Sequence, residues 1–196
     1  MKPIPTAVVI FQLAAFAIAD DAPTLLVDKA LPLLAAPNFS NRLDDNFHIA
    51  KGTWTPDGGV LTVIDLPEEK HIPVLHHLVG LATARIEVEF FLNGPGTFLI
   101  GCDSDEHVGR VVVNAGGLAI AEDSVKPSHT IATLPLKVSS AEWHHLLVEW
   151  TGDKMAARLD GNELTASHPY LATKKARSWL AAGNLVKIRN LKISGE

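Results

Sequence analysis

Between residues 84 and 90 the chain alternates without a break. Ala84, Ile86, Val88 and Phe90 are apolar, and Arg85, Glu87 and Glu89 are charged. A period of two places the apolar set on one face of a strand and the charged set on the other, so this segment predicts a half-buried strand with a polar outer face. The same reading makes 143–150 and 154–159 strands joined at Thr151-Gly152-Asp153, with another turn at Asp160-Gly161. Residues 52–63 hold a strand, an Asp57-Gly58-Gly59 turn and a second strand. Asn93-Gly94-Pro95-Gly96 and Asn114-Ala115-Gly116-Gly117 are further turns between apolar stretches. One strand is expected around 131–134 and two more at 178–181 and 185–193, and residues 162–179 read as a loop-rich excursion. Past residue 38, no segment keeps apolar residues at helical spacing for three turns. About a dozen short strands separated by Gly-rich turns predict an all-β fold, a jelly-roll β-sandwich of two antiparallel sheets.

The first residues do not follow this pattern. Lys2 precedes an apolar run over 4–18, interrupted only by Pro5, Thr6 and Gln12, and Ala17-Ile18-Ala19 then leads into Asp20-Asp21. A positive start, a short apolar stretch and a small-x-small site describe a signal peptide at 1–19, cleaved after Ala19. The run falls short of the roughly 20 residues a membrane-spanning helix needs. Residues 20–38, rich in Ala, Leu and Pro, read as a lead-in, and 39–196 as the sandwich domain. The expected product is secreted or periplasmic, with no membrane contact after cleavage.

Composition narrows the function classes. The net charge is −5 over 196 residues, and basic residues are scattered, so no nucleic-acid footprint is present. Cys102 is the single cysteine, which excludes an internal disulfide. It lies in an apolar strand and reads as a small core residue.

Several segments resemble one family in order. They are Trp54 with Asp57-Gly58-Gly59-Val60-Leu61, then Arg85-Ile86-Glu87-Val88-Glu89-Phe90, then Glu142-Trp143-His144 with Leu159-Asp160-Gly161. The closing strand Val186-Lys187-Ile188-Arg189-Asn190-Leu191-Lys192-Ile193 is the last. Together they resemble the 3-keto-disaccharide hydrolase domain family, also labelled family 16 glycoside hydrolase-like, over about residues 40–194. The resemblance implies a concanavalin A-like lectin/glucanase jelly roll, a carbohydrate partner and a secreted bacterial setting. It also places Trp54 and Trp143 in the core. The strand Gly94-Pro95-Gly96-Thr97-Phe98-Leu99-Ile100-Gly101 lacks the Ser-Gly and Arg of the family pattern, and the Glu-x-Asp-x-Glu strand of family 16 glucanases is absent.

Candidate chemistry follows from residue types. Glycoside cleavage needs two carboxyl groups about 5–10 Å apart, one kept protonated near neutral pH. Glu87 and Glu89 share a strand face at roughly 7 Å. Glu149 and His145 join them as catalytic candidates if their strand lies alongside. The chain carries nine histidines. His76, His77, Arg85 and Trp179 are substrate-binding candidates, with Trp179 as an exposed platform for a sugar ring. Asp103, Asp105 and His107 form a polar loop offering oxygen and imidazole ligands to Ca²⁺ or another divalent metal. Three functions remain open. The first is a lectin-like module that binds glycans. The second is a glycoside or 3-keto-glycoside hydrolase or lyase using carboxylate and histidine acid–base chemistry. The third is a structural envelope domain without a ligand.

Overall fold

The computed structural model describes residues 25–183 and 185–196. The leader and its cleavage point lie outside the described residues. Two antiparallel sheets face each other. The first sheet runs, in spatial order, β13 (Asn162–Ser167), β12 (Lys154–Leu159), β11 (Trp143–Thr151), β6 (Thr83–Phe91), β15 (Lys187–Gly195), β4 (Val60–Ile64) and β3 (Thr53–Asp57), with β1 (Leu33–Ala35) also paired to β15. The second runs β10 (His129–Pro135), β9 (Gly117–Glu122), β8 (His107–Asn114), β7 (Thr97–Asp103), β14 (Arg177–Ala182), β5 (Val74–His77) and β2 (Phe47–Lys51). Among the described residues no helix is long and apolar enough to cross a membrane.

The period-two pattern carries the core. Ala84, Ile86, Val88 and Phe90 are fully buried between the sheets, while Arg85, Glu87 and Glu89 look outward. On β11, His144, Leu146, Val148 and Trp150 stand opposite Phe90, Val88, Ile86 and Ala84 and turn inward with them. Phe90 stacks on Phe98 of the opposite sheet with ring centroids 4.9 Å apart, so one aromatic pair bridges the layers. Trp150 is buried, and its indole N–H donates to the Leu81 carbonyl at 3.0 Å, which satisfies its one polar atom.

The Asp160-Gly161 turn has a structural task. Asp160 sits at φ 48°. Its carboxylate accepts the His145 backbone N–H at 2.8 Å and meets Nδ1 of buried His144 at 2.6 Å. His144 Nε2–H donates to the Ser139 carbonyl at 2.9 Å. The inward histidine of the pair is thus held as a satisfied core residue.

One sequence expectation shifts. Residues 162–179 are not mainly loop: 162–167 form edge strand β13, with Ala166 buried and Leu164 packed on the core. Its alternation is short and contains one large apolar residue, too weak a signal to read alone. The strands at 178–182 and 187–195 belong to different sheets, so the chain crosses the sandwich between them. The described part of the lead-in, residues 25–38, packs on the sandwich. It runs over the outer face of the first sheet and pairs through β1 with the end of β15.

Candidate functional site

Three of the four catalytic candidates come together. Glu87, Glu89 and His145 line a cleft of about 680 Å³ on the outer face of the first sheet, closed by Ala36, Pro37, Asn190, Leu191 and Lys192. His145 is the cross-strand partner of Glu89. Glu89 is also held from the other side, by β15. Arg189 Nε donates to its Oε2 at 2.6 Å and the Asn190 amide to its Oε1 at 2.8 Å. Partial burial pushes the Glu89 carboxyl up, but the Asn190 and Arg189 hydrogen bonds and the Arg189 charge outweigh it and hold it below the usual carboxylate range. Lys192 Nζ stands 3.8 Å from Glu87 Oε2.

The geometry depends on a bulge. The β6–β15 register slips between Arg189 and Lys192, and Asn190 takes φ 53°. A bulge turns two successive side chains toward one partner, and here Arg189 and Asn190 both reach Glu89. Asn tolerates the left-handed conformation better than most residues. Residue type alone singles out none of Arg189, Asn190 and Lys192, though a signal is present. Buried Ile188, Leu191 and Ile193 are spaced three and then two apart, so the alternation breaks at the bulge. Farther along the same face the Arg189 guanidinium lies 4.1 Å above the ring of half-buried Trp143. Trp143 therefore sits on the outer face, not in the core as the family resemblance implied.

Glu149, the fourth catalytic candidate, shares this face but is sealed. It is fully buried; Oε1 accepts from Arg85 Nε at 2.6 Å and Oε2 accepts the Leu26 and Val27 backbone N–H groups at 2.6 and 3.0 Å. Arg85, a substrate-binding candidate, donates its second bond to the Val27 carbonyl at 2.7 Å. Both residues fasten the lead-in.

The remaining candidates lie in the second sheet. His76 and Trp179 are cross-strand partners on its outer face, while His77, one residue on, points into the sandwich. Trp179 is 3% exposed and is not an open platform. Its ring lies flat over Gly101, where a Cβ would stand 2.2 Å from it, and its N–H donates to Asp103 Oδ1 at 2.6 Å. Asp103 Oδ1 also takes His107 Nδ1 at 2.7 Å, and Oδ2 accepts from Arg177 at 3.0 Å. Burial alone raises the Asp103 carboxyl, but these donors hold it below the usual range. The same contact raises the His107 imidazole. Asp105 is exposed in the turn. The three proposed metal residues do not converge as a ligand set, because donors from Trp179, Arg177 and His107 surround Asp103. His107 and Trp179, with His71 and Arg110, line a small cavity of about 100 Å³. Neither ring nitrogen of His77 has a hydrogen-bond partner, and burial lowers its pKa below 6.5. Cys102 is buried, its thiol pushed up to about 12 and therefore inert.

No protein-family model and no curated protein matches the sequence, but solved structures match its shape. A carbohydrate-binding module, CBM66 from Bacillus subtilis, superposes with a TM-score of 0.65 at 14% identity, covering 76% of this chain and 96% of that one. A Bacillus licheniformis β-glucanase gives 0.62 at 10% identity, over 86% of this chain and 100% of the enzyme. The metal-free exoplasmic/lumenal domain of VIP36 gives 0.58 at 10%, over 84% and 91%. The fold is the concanavalin A-like lectin and glucanase sandwich. At these identities the likeness establishes the fold alone; the narrower 3-keto-disaccharide hydrolase resemblance stays a sequence expectation.

Proposed function

We propose that the chain is an exported glycan-binding module that takes neutral sugar chains into the cleft at Glu87, Glu89, His145 and Asn190. The carrying observation is the clamp on Glu89. Arg189 and Asn190 hold its carboxylate below the usual range, so it stays ionised. A glycosidase of two carboxyl groups needs one whose pKa is raised so that it can deliver a proton. Glu89 is driven the opposite way and is not that proton donor. An ionised carboxylate beside a fixed amide instead offers planar acceptors and donors to adjacent sugar hydroxyls, while Trp143 under Arg189 borders the same face. The structural likeness to a carbohydrate-binding module supports this reading, as does the leader-like pattern of residues 4–18.

Affinity electrophoresis against a panel of soluble neutral and anionic polysaccharides tests it. The wild type is expected to be retarded by at least one neutral glycan, with Glu89→Gln binding roughly tenfold to a hundredfold more weakly, the worth of a hydrogen bond to a charged group. Absence of retardation on every glycan rejects the proposal. Release of reducing ends by the wild type but not by Glu89→Gln replaces it with a hydrolase.

A further inference from the structure

We propose that Glu122, His129 and His168 form a site for a zinc-class divalent cation that clamps the free edges of the two sheets together. The site lies away from the cleft and uses none of its residues. Glu122 closes β9 and His129 opens β10, directly opposite each other across the ladder. His168 follows β13 and caps the short 3₁₀ turn Pro169–Ala172. β10 is an edge strand of the second sheet and β13 an edge strand of the first, so the three ligands reach from both layers.

The spacing suits a small cation. His129 Nδ1 lies 3.2 Å from Glu122 Oε1 and His168 Nδ1 3.7 Å from Glu122 Oε2, and one donor atom from each residue falls within 4.8 Å of the others. Ligands bound tetrahedrally at zinc distances stand roughly 3.4 Å from one another. Modest rotation of the two imidazoles closes the remaining gap. His129 is 59% exposed and His168 32%, which leaves them that freedom.

Glu122 shows why a cation belongs there. Its carboxylate is 1% exposed, and its ion pairs are with these two imidazoles, which are charged only when protonated. Burying a carboxylate is unfavourable without a compensating charge, and a dication supplies one while both rings are neutral, the form in which imidazole ligates a metal. Oε2 also accepts the Ser124 N–H at 2.7 Å, an outer contact that fixes the carboxylate's direction. The Tyr170 N–H reaches His168 Nδ1 at 3.3 Å, a long bond that a cation taking the Nδ1 lone pair displaces. Two imidazole nitrogens and one carboxylate oxygen suit Zn²⁺ and its neighbours, not Ca²⁺ or Mg²⁺, which prefer six or more oxygens or an octahedral shell with water. Exposed His129 leaves the fourth position open to water.

Zinc sulfate titrated into the metal-stripped full chain, followed by calorimetry and thermal unfolding, tests the site. One Zn²⁺ per chain is expected, with a higher Tm on saturation and no such effect from calcium chloride. His129→Ala and His168→Ala should each weaken binding at least roughly tenfold, since even an outer-contact loss weakens metal sites by that much. Zinc should raise the Tm of the wild type well above its value in EDTA and leave that of His129→Ala nearly where EDTA has it, so the readout is the metal-dependent rise and not the Tm of the metal-free variant. No saturable one-to-one binding, or variants that bind zinc as the wild type does, would overturn the proposal; an equal rise in Tm with calcium would do the same.

Discussion

Among the Arg–Glu pairs on the outer face of the first sheet, two have opposite fates. Arg85 and Glu149 face each other across β6 and β11, and Arg189 and Glu89 across β15 and β6. Both pairs close at 2.6 Å. The alternation that sends these side chains outward is the same. Glu149, however, is completely buried, whereas Glu89 keeps 26% of its side-chain surface and lines a cleft. The lead-in makes the difference. Its Leu26 and Val27 backbone lies over Glu149, it continues through β1 along β15, and its Ala36 and Pro37 end as the rim of the Glu89 cleft. One segment seals a carboxylate at one end and frames another at the far end. A strand pattern fixes which way a carboxylate points; the cover laid over it decides whether it fastens or stays available.

Removing the sealed carboxylate should give the largest effect. Glu149→Ala strands the Arg85 guanidinium and leaves the Leu26 and Val27 N–H groups without an acceptor. Breaking one side of a buried pair is expected to destabilise by about 3–5 kcal/mol, read from urea unfolding. The lead-in should also become open to limited proteolysis. Unchanged stability would erase the contrast between the two pairs.

Asp103 is a third case, sealed by a side chain in place of a backbone. Gly101→Ala puts a methyl group into the Trp179 ring, which must tilt off its hydrogen bond to Asp103. Overpacking of this kind is expected to cost about 2 kcal/mol and to change the tryptophan fluorescence. His77 is sealed without any partner. His77→Leu removes two unsatisfied nitrogens at similar volume and should stabilise by about 1 kcal/mol at neutral pH. Because burial lowers the folded pKa of His77, wild-type stability is present above its ordinary 6.5 and falls as pH drops below it. The gap to His77→Leu should therefore widen between pH 6.5 and lower pH in denaturation curves.

How far the sequence discloses this depends on the range of the physics involved. The β6 alternation is local, and the structure follows it residue by residue. The convergence of Glu87, Glu89 and His145 needs only that β11 lie beside β6, and it does. The fate of Glu149 is set by partners 122 and 123 residues away, so no nearby pattern announces it. Trp179 looks like a free platform because nothing local shows that residue 101 has no side chain directly beneath its ring. The Arg189-Asn190 clamp is legible as a break in period two but is hidden inside a segment that otherwise reads as a plain closing strand. The Glu122, His129 and His168 grouping joins three separate elements and matches no short spacing.

The open pair should give the smallest change in stability and the most informative dependence on conditions. Both side chains of the Arg189–Glu89 pair are partly solvated, so Glu89→Gln is expected to destabilise by less than about 1 kcal/mol, and added salt should shrink even that. The sign of its pH dependence is fixed by the direction of the shift. Glu89 has a folded pKa below its ordinary 4.5, so its contribution is present above that value and is lost as pH falls through the lower folded one. Wild-type and Glu89→Gln unfolding curves should therefore differ at neutral pH and converge in acid, while the Glu149→Ala difference measured in parallel at neutral pH should hardly respond to salt. If Glu89→Gln instead proves as destabilising as Glu149→Ala, Glu89 is a fastener as well, and the cleft loses its claim to a ligand.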